Sequence, residues 1–183
     1  MKKFRFIALG VVLALAGLFW VAWTPIGDPP EVGDSAPEFT LVSNEGTEVS
    51  LVDYREQWVV LYFYPRDFTR GCTIQAKNFQ RDLEKYEEIN TVILGVSVDS
   101  AESHKDFCAK EGLTFKLLSD SETTVSEEYG SLRGVGDVKM SARNTFVIDP
   151  EGVVAKVFLG VNPNPHSGEV LEALAELQQQ SDD

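Results

Sequence analysis

Residues 58–80 read WVVLYFYPRDFTRGCTIQAKNFQ, and the hydrophobic period changes in the middle of the stretch. Trp58 through Tyr64 form an unbroken apolar run rich in β-formers, as expected of a strand covered on both faces. Pro65 ends the run, because proline restricts both itself and the residue before it. Beyond it, Cys72, Ala76, Phe79, Leu83 and Tyr86 step by four and three, which is one face of a helix. A buried strand, a short polar loop and an amphipathic helix with a thiol at its start form the opening unit of an α/β fold.

The rest of the chain repeats the alternation. EFTLV and TEVSL flank SNEG and predict a hairpin, and TVILGVSV (91–98) predicts a second buried strand. SAESHKDFCAKEG follows as a helix, with Ser100 as its N-cap and Gly112 as its stop. TTVSEEYG predicts a short helix. NTFVID and VVAKVFLG predict two strands joined by the turn PEG. SGEVLEALAELQQQ closes as an amphipathic helix. This order predicts a mixed central sheet with helices on both faces. The domain is expected over residues 35–180, with residues 24–34, rich in Pro and Gly, as a linker.

The first 23 residues stand apart. MKKFRF supplies positive charge, and FIALGVVLALAGLFWVAW follows with none. Those 18 residues would span ~27 Å as a helix, close to the ~30 Å of bilayer hydrocarbon. Trp20 and Trp23 stand where interfacial tryptophans belong, and the exit WVAWTPIGDPP lacks the small-x-small pair of a signal cleavage site. Residues 1–23 are therefore expected to be one transmembrane anchor, with a cleaved signal as the alternative. Lys2, Lys3 and Arg5 precede the span and Asp28, Glu31 and Asp34 follow it, which places the domain on the extracytoplasmic side.

The 183-residue chain carries a formal net charge of −13, a balance that repels phosphate backbones and sets nucleic acid aside. Two cysteines, Cys72 and Cys108, and two histidines are too few for a disulfide scaffold or a Cys-rich zinc site. His104 is read as a helix-surface residue and His166 as loop or cap material, and neither as a metal ligand.

Cys72 has a more reactive setting. The unpaired N–H groups and positive dipole end of a helix start favour an anion, and the thiolate is the nucleophilic form of cysteine. Thr69, three residues upstream, offers a hydroxyl to a thiolate or to a substrate oxygen. Arg143 precedes NTFVID, and a strand end can bring a distant arginine beside a helix start, where its fork can hold a developing oxyanion. Arg66 and Arg70 are read as solvated loop residues. Spacing alone leaves burial of Cys72 as a small core residue equally open.

A resemblance favours the reactive reading. YPRDFTRGC is similar to the peroxiredoxin signature Pro-x-x-x-Thr-x-x-Cys, met by Pro65, Thr69 and Cys72. VVLYFYPRDFTRGCT, SARNTFVIDPEG and SHKDFCAKEGLTFKLLSD resemble the PrxQ or bacterioferritin comigratory protein branch, and its arginine falls on Arg143. The likeness covers about residues 31–178 and implies a thioredoxin-like fold and reduction of hydrogen peroxide and organic hydroperoxides. By that resemblance Cys72 is the peroxidatic nucleophile, Pro65 shields it, and Thr69 and Arg143 orient the peroxide. No metal or organic cofactor is implied. The expected partners are hydroperoxides and a thioredoxin-like dithiol reductant, the expected role is antioxidant defence, and the expected state is a monomer.

Two positions depart from the branch pattern. Lys77 stands where many members carry a resolving cysteine, and Gln75 where many carry a carboxylate. Some members place the resolving cysteine on the next helix, which makes Cys108 the candidate. The alternatives are a one-cysteine peroxidase with Cys108 structural, a thioredoxin-type oxidoreductase, for which Gln75 stands in place of the second Cys-x-x-Cys thiol, and a non-enzymatic domain with a static disulfide.

Overall fold

The structure, a computed structural model, describes residues 26–135 and 138–181. The anchor expected at residues 1–23 lies outside them. Among the described residues no helix is long and apolar enough to cross a membrane.

The strands are β1 (Thr40–Ser43), β2 (Glu48–Ser50), β3 (Trp58–Phe63), β4 (Thr91–Ser97), β5 (Lys116–Ser119), β6 (Leu132–Val135), β7 (Val138–Ser141), β8 (Thr145–Ile148) and β9 (Val154–Phe158). The helices are α1 (Arg70–Arg81), α2 (Leu83–Glu88), α3 (Ala101–Glu111), α4 (Thr124–Glu128) and α5 (His166–Ser181). Seven strands form one mixed sheet in the order β2-β1-β5-β4-β3-β8-β9, and β6 and β7 pair antiparallel as a separate two-stranded sheet. The fold is thioredoxin-like α/β.

β3 is an interior strand with all six residues buried, between parallel β4 and antiparallel β8. Its side chains alternate with the pleat. Trp58, Val60 and Tyr62 enter one core with Cys72, Ala76, Phe79, Tyr86, Phe107 and Leu174, so α1, α2, α3 and α5 cover that face. Val59, Leu61 and Phe63 enter the other with Phe39, Leu51, Val125 and Tyr129, so α4 and the N-terminal segments cover the opposite face. Burial on both faces is why the sequence of β3 shows no polar alternation.

α3 begins and ends as its sequence predicts. The Ser100 hydroxyl accepts from the Ser103 N–H, and Gly112 takes the left-handed conformation at φ 70°. The helix expected from Cys72 to Tyr86 is instead two helices, broken at Asp82. The apolar phase runs across the break, so periodicity hides it. The buried Asp82 carboxylate accepts from Arg81, Lys85 and Ser167, and the Arg81 hydrogen bond above all holds it far below the usual carboxylate range. Residues 26–34, expected as a linker, run along the domain. The Ile26 N–H donates to the Leu132 carbonyl and the Gly33 N–H to the Val154 carbonyl, each at 2.9 Å.

Candidate active site

The sheet topology assembles the site. β3 runs into the loop 64–69 and then α1, so Cys72 lies in the first helical turn, 1% exposed. β8 is antiparallel to β3, with Thr145 opposite Tyr62, so the start of β8 reaches the end of β3 where α1 begins. The Phe63 N–H donates to the Asn144 carbonyl, and the Val161 N–H to the Arg143 carbonyl. These bonds fix the backbone of Arg143 beside the helix start. Arg143 Nη2 donates to Cys72 Sγ at 3.3 Å, and Nη1 donates to Gln75 Oε1 at 2.6 Å.

Two neighbours make this fork possible. A Cβ on Gly71 would stand 3.2 Å from Arg143 Nη2, so glycine keeps the approach to the sulfur open. That residue escapes sequence reasoning; its one signal is a poor helix former placed in a first turn. Gln75 lies one turn beyond Cys72, 1% exposed. Its carbonyl faces Arg143, and its buried Nε2 has no hydrogen-bond partner among the described residues. A carboxylate here would neutralise the guanidinium; the amide orients it and leaves its charge for the sulfur.

Thr69 is the N-cap of α1, and its hydroxyl donates to the Arg66 carbonyl at 3.0 Å, not to the sulfur. With its proton engaged, the hydroxyl is left as an acceptor. Pro65 is half-buried in the loop between β3 and α1. Arg66 and Arg70 are exposed, and the Arg66 guanidinium stands 3.8 Å from Asp99. Lys77 pairs with Glu111 at 3.3 Å and ties α1 to α3.

Cys108 is buried in α3 and belongs to the same core cluster as Cys72; both are free thiols. Burial, with lesser contributions from Asp67 and Glu45, pushes its thiol up to about 11. His104, one turn earlier on α3, is fully buried, which corrects its reading as a surface residue. The reason is Asp67, which sequence reasoning missed. His104 Nδ1 lies 2.8 Å from Asp67 Oδ2 and Nε2 lies 3.2 Å from the Leu118 carbonyl oxygen. Tyr64 and Ser103 donate to the same carboxylate at 2.8 and 2.6 Å. Burial raises the Asp67 carboxyl, but the His104, Ser103 and Tyr64 hydrogen bonds outweigh it and leave it below 3.8. This network pins the loop ahead of Cys72 onto the helix of Cys108. His166 is likewise buried, at the start of α5. Nε2 bonds the Thr145 hydroxyl at 2.8 Å, and the ring meets Phe79 and Phe158 edge-on. Burial lowers its affinity for a proton, Arg143 adds to the effect, and Glu169 opposes it.

Known proteins resemble this chain in sequence and in fold. Residues 32–157 match the AhpC/TSA family. Peroxiredoxin Bcp of Bacillus subtilis (strain 168) is 38% identical over 153 residues, covering 81% of this chain and 98% of that one. The crystal structure of a cysteine-to-serine mutant of Xylella fastidiosa PrxQ is 36% identical with a TM-score of 0.73, covering 84% of this chain and 96% of that one. Peroxiredoxin Q of Xanthomonas campestris has been solved with either of two cysteines replaced by serine, the first of these 33% identical with a TM-score of 0.73 over 80% of this chain and 95% of that one. Those two cysteines are as far apart in sequence as Cys72 and Cys108. A match across most of the described domain, to relatives spanned over nearly their whole length, places the chain: it belongs to the AhpC/TSA family, in the branch that holds Bcp and peroxiredoxin Q.

Proposed function

We propose that this protein is a thiol-dependent peroxidase in which Cys72 reduces hydrogen peroxide and organic hydroperoxides. The observation that carries the assignment of roles is the Arg143 fork, with one arm on Cys72 Sγ and the other on Gln75 Oε1. The Cys72 thiolate attacks the nearer peroxide oxygen. An S–O bond forms, the O–O bond breaks, and its electron pair leaves on the distal oxygen as hydroxide or alkoxide, which takes a proton to give water or alcohol. Arg143 offers its positive charge where that negative charge develops. Thr69 accepts from the peroxide O–H, and Pro65 shields the sulfur from solvent.

The product is a sulfenic acid. Cys108 then attacks the oxidised sulfur, expelling water and forming the Cys72–Cys108 disulfide. The pair of serine variants described for Xanthomonas campestris peroxiredoxin Q supports this assignment through its spacing. A thioredoxin-like dithiol protein returns both thiols, and the role is antioxidant defence. The burial of Cys108 favours a second reading, a one-cysteine cycle in which an external thiol resolves the sulfenic acid. Residues 1–23 anchor the domain on the extracytoplasmic side, a reading supported by the basic residues before the 18 uncharged ones.

Peroxide consumption by reduced protein with a dithiol reductant tests the activity. Cys72→Ser is expected to abolish it; a Cys72→Ser protein as active as wild type would refute the assignment. The full-length protein is expected to remain with membranes through a carbonate wash, and a soluble product beginning near Trp23 would show a cleaved signal instead.

A further inference from the structure

Phe68 has no part in the chemistry above, yet it is held in a costly conformation. Its φ is 58°, in the left-handed region that a bulky side chain rarely enters. Burial does not explain this, because the residue is 45% exposed. The ring meets Phe107 edge-on at 5.2 Å, and Lys110 Nζ stands 5.2 Å from its centroid. Phe107 adjoins Cys108, and Phe68 directly precedes Thr69, the N-cap of α1. One strained aromatic residue at the surface therefore joins the turn that carries Cys72 to the helix that carries Cys108.

We propose that Phe68 is a positioning residue that latches the first turn of α1 closed against α3 and so sets the rate at which oxidised Cys72 reaches Cys108. A disulfide needs its Cα atoms within about 7 Å. Cys72 and Cys108 are free thiols on separate helices, each buried and held by its own turn, and in the proposed latch opening of the first turn of α1 is the step that brings the sulfurs into bonding geometry. Opening loses the Phe107 and Lys110 contacts but lets the Phe68 backbone relax. The ring contacts favour the closed turn and the backbone strain favours the open one, so the latch releases without the whole domain unfolding. The step it governs is balanced: Cys72–SOH and Cys108–SH give the disulfide and one water.

The inference rests in part on Cys108 as the resolving thiol, so the experiment separates the two. Amide hydrogen exchange on the reduced protein reads opening without any oxidation. Phe68→Ala removes the ring and keeps the backbone demand. Exchange at Thr73, Ile74 and Gln75, the first hydrogen-bonded amides of α1, is expected to rise about tenfold. Phe68→Gly also removes the strain and is expected to rise less. Exchange in Phe68→Ala equal to wild type overturns the latch, whatever Cys108 does. After one equivalent of peroxide, Phe68→Ala is expected to form the Cys72–Cys108 disulfide about tenfold faster and to need about tenfold more peroxide for half-inactivation to the sulfinic acid. Faster exchange with an unchanged disulfide rate overturns the proposed control of resolution. Faster exchange with no disulfide even in wild type retains the latch on the turn and overturns the role of Cys108.

Discussion

Arg143→Lys isolates what the guanidinium does, because it keeps the charge and removes the fork. In the structure one group serves two acceptors at once, Gln75 Oε1 at 2.6 Å and Cys72 Sγ at 3.3 Å. A single ammonium nitrogen cannot occupy both positions. One charge-assisted hydrogen bond is lost, at a cost of about 1.5–3 kcal/mol. At about 1.36 kcal/mol per tenfold, this slows the reaction by roughly 10- to 150-fold. The backbone is held separately, through the Arg143 carbonyl and Val161 N–H, so the chain path should survive the change. The assay is the second-order rate constant of reduced protein with hydrogen peroxide, set beside the rate of Cys72 alkylation by iodoacetamide. Alkylation needs the nucleophile but releases no oxyanion at the Arg143 position. The peroxide rate should therefore fall further than the alkylation rate. An unchanged peroxide rate would exclude Arg143 from the reaction, and equal losses in both would show that it acts on the sulfur alone.

Gln75→Leu removes the acceptor that aims Arg143 and also the unpartnered buried Nε2. Peroxide reduction should slow by about tenfold with no loss of thermal stability; a large drop in Tm would show that the amide is structural. Cys108→Ser should keep the first oxidation, followed as sulfenic acid trapping, and lose most turnover with a thioredoxin-like reductant; full turnover would establish the one-cysteine cycle. The Cys108 thiol is raised from 9.0 to about 11 by burial in the closed fold, so it ionises first in the opened form. Disulfide formation after a single peroxide addition should then rise with pH from 7 and level off near the ordinary 9.0, and a rise that continues toward pH 11 would place the attack in the closed fold. His166 holds a proton less readily when folded than the ordinary 6.5, so its contribution to stability is complete above pH 6.5 and is lost as pH falls below it. Denaturant midpoints at pH 7 and pH 5 should converge in His166→Gln relative to wild type, and an unchanged difference would assign the acid sensitivity elsewhere.

Local signals explain which parts of the fold are legible. β3 and β4 announce themselves because both faces are buried and no polar residue interrupts them. α3 carries its start and stop in Ser100 and Gly112. β5 is four residues long with only Leu117 and Leu118 buried, and β6 and β7 form no apolar run, so these strands lack a periodic signature. The break at Asp82 is invisible because Leu83 and Tyr86 stay in phase with α1, while the partners that stabilise it include Ser167 on α5. In the site, Cys72, Thr69, Pro65 and Arg143 are legible through spacing and family likeness. The burial of His104 is not, since it depends on Asp67, 37 residues away in sequence. Gly71 and Phe68 reveal themselves only through what stands beside them, a guanidinium in one case and a left-handed backbone in the other.

The proposed cycle asks two opposed things of one helical turn. Attack on peroxide needs the turn closed, because only then does Arg143 Nη2 stand at the sulfur. Resolution needs it open, because in the closed fold Cys108 is a buried thiol with its ionisation pushed up to about 11. A sequence that maximised the stability of the closed turn would speed the first step little, since a closed population of 90% or 99% differs by about a tenth in rate. It would slow the second step by the full factor of the shift, about tenfold for each 1.4 kcal/mol. During that delay the sulfenic acid is exposed to a second peroxide and to sulfinic acid formation. The arrangement around the turn fits this balance. The Asp67 network holds the loop from the buried side, while the strained, half-exposed Phe68 holds it at the surface, where release is easiest. Tightening the surface contact alone should therefore leave the rate of peroxide attack nearly unchanged and make the enzyme easier to inactivate by its own substrate.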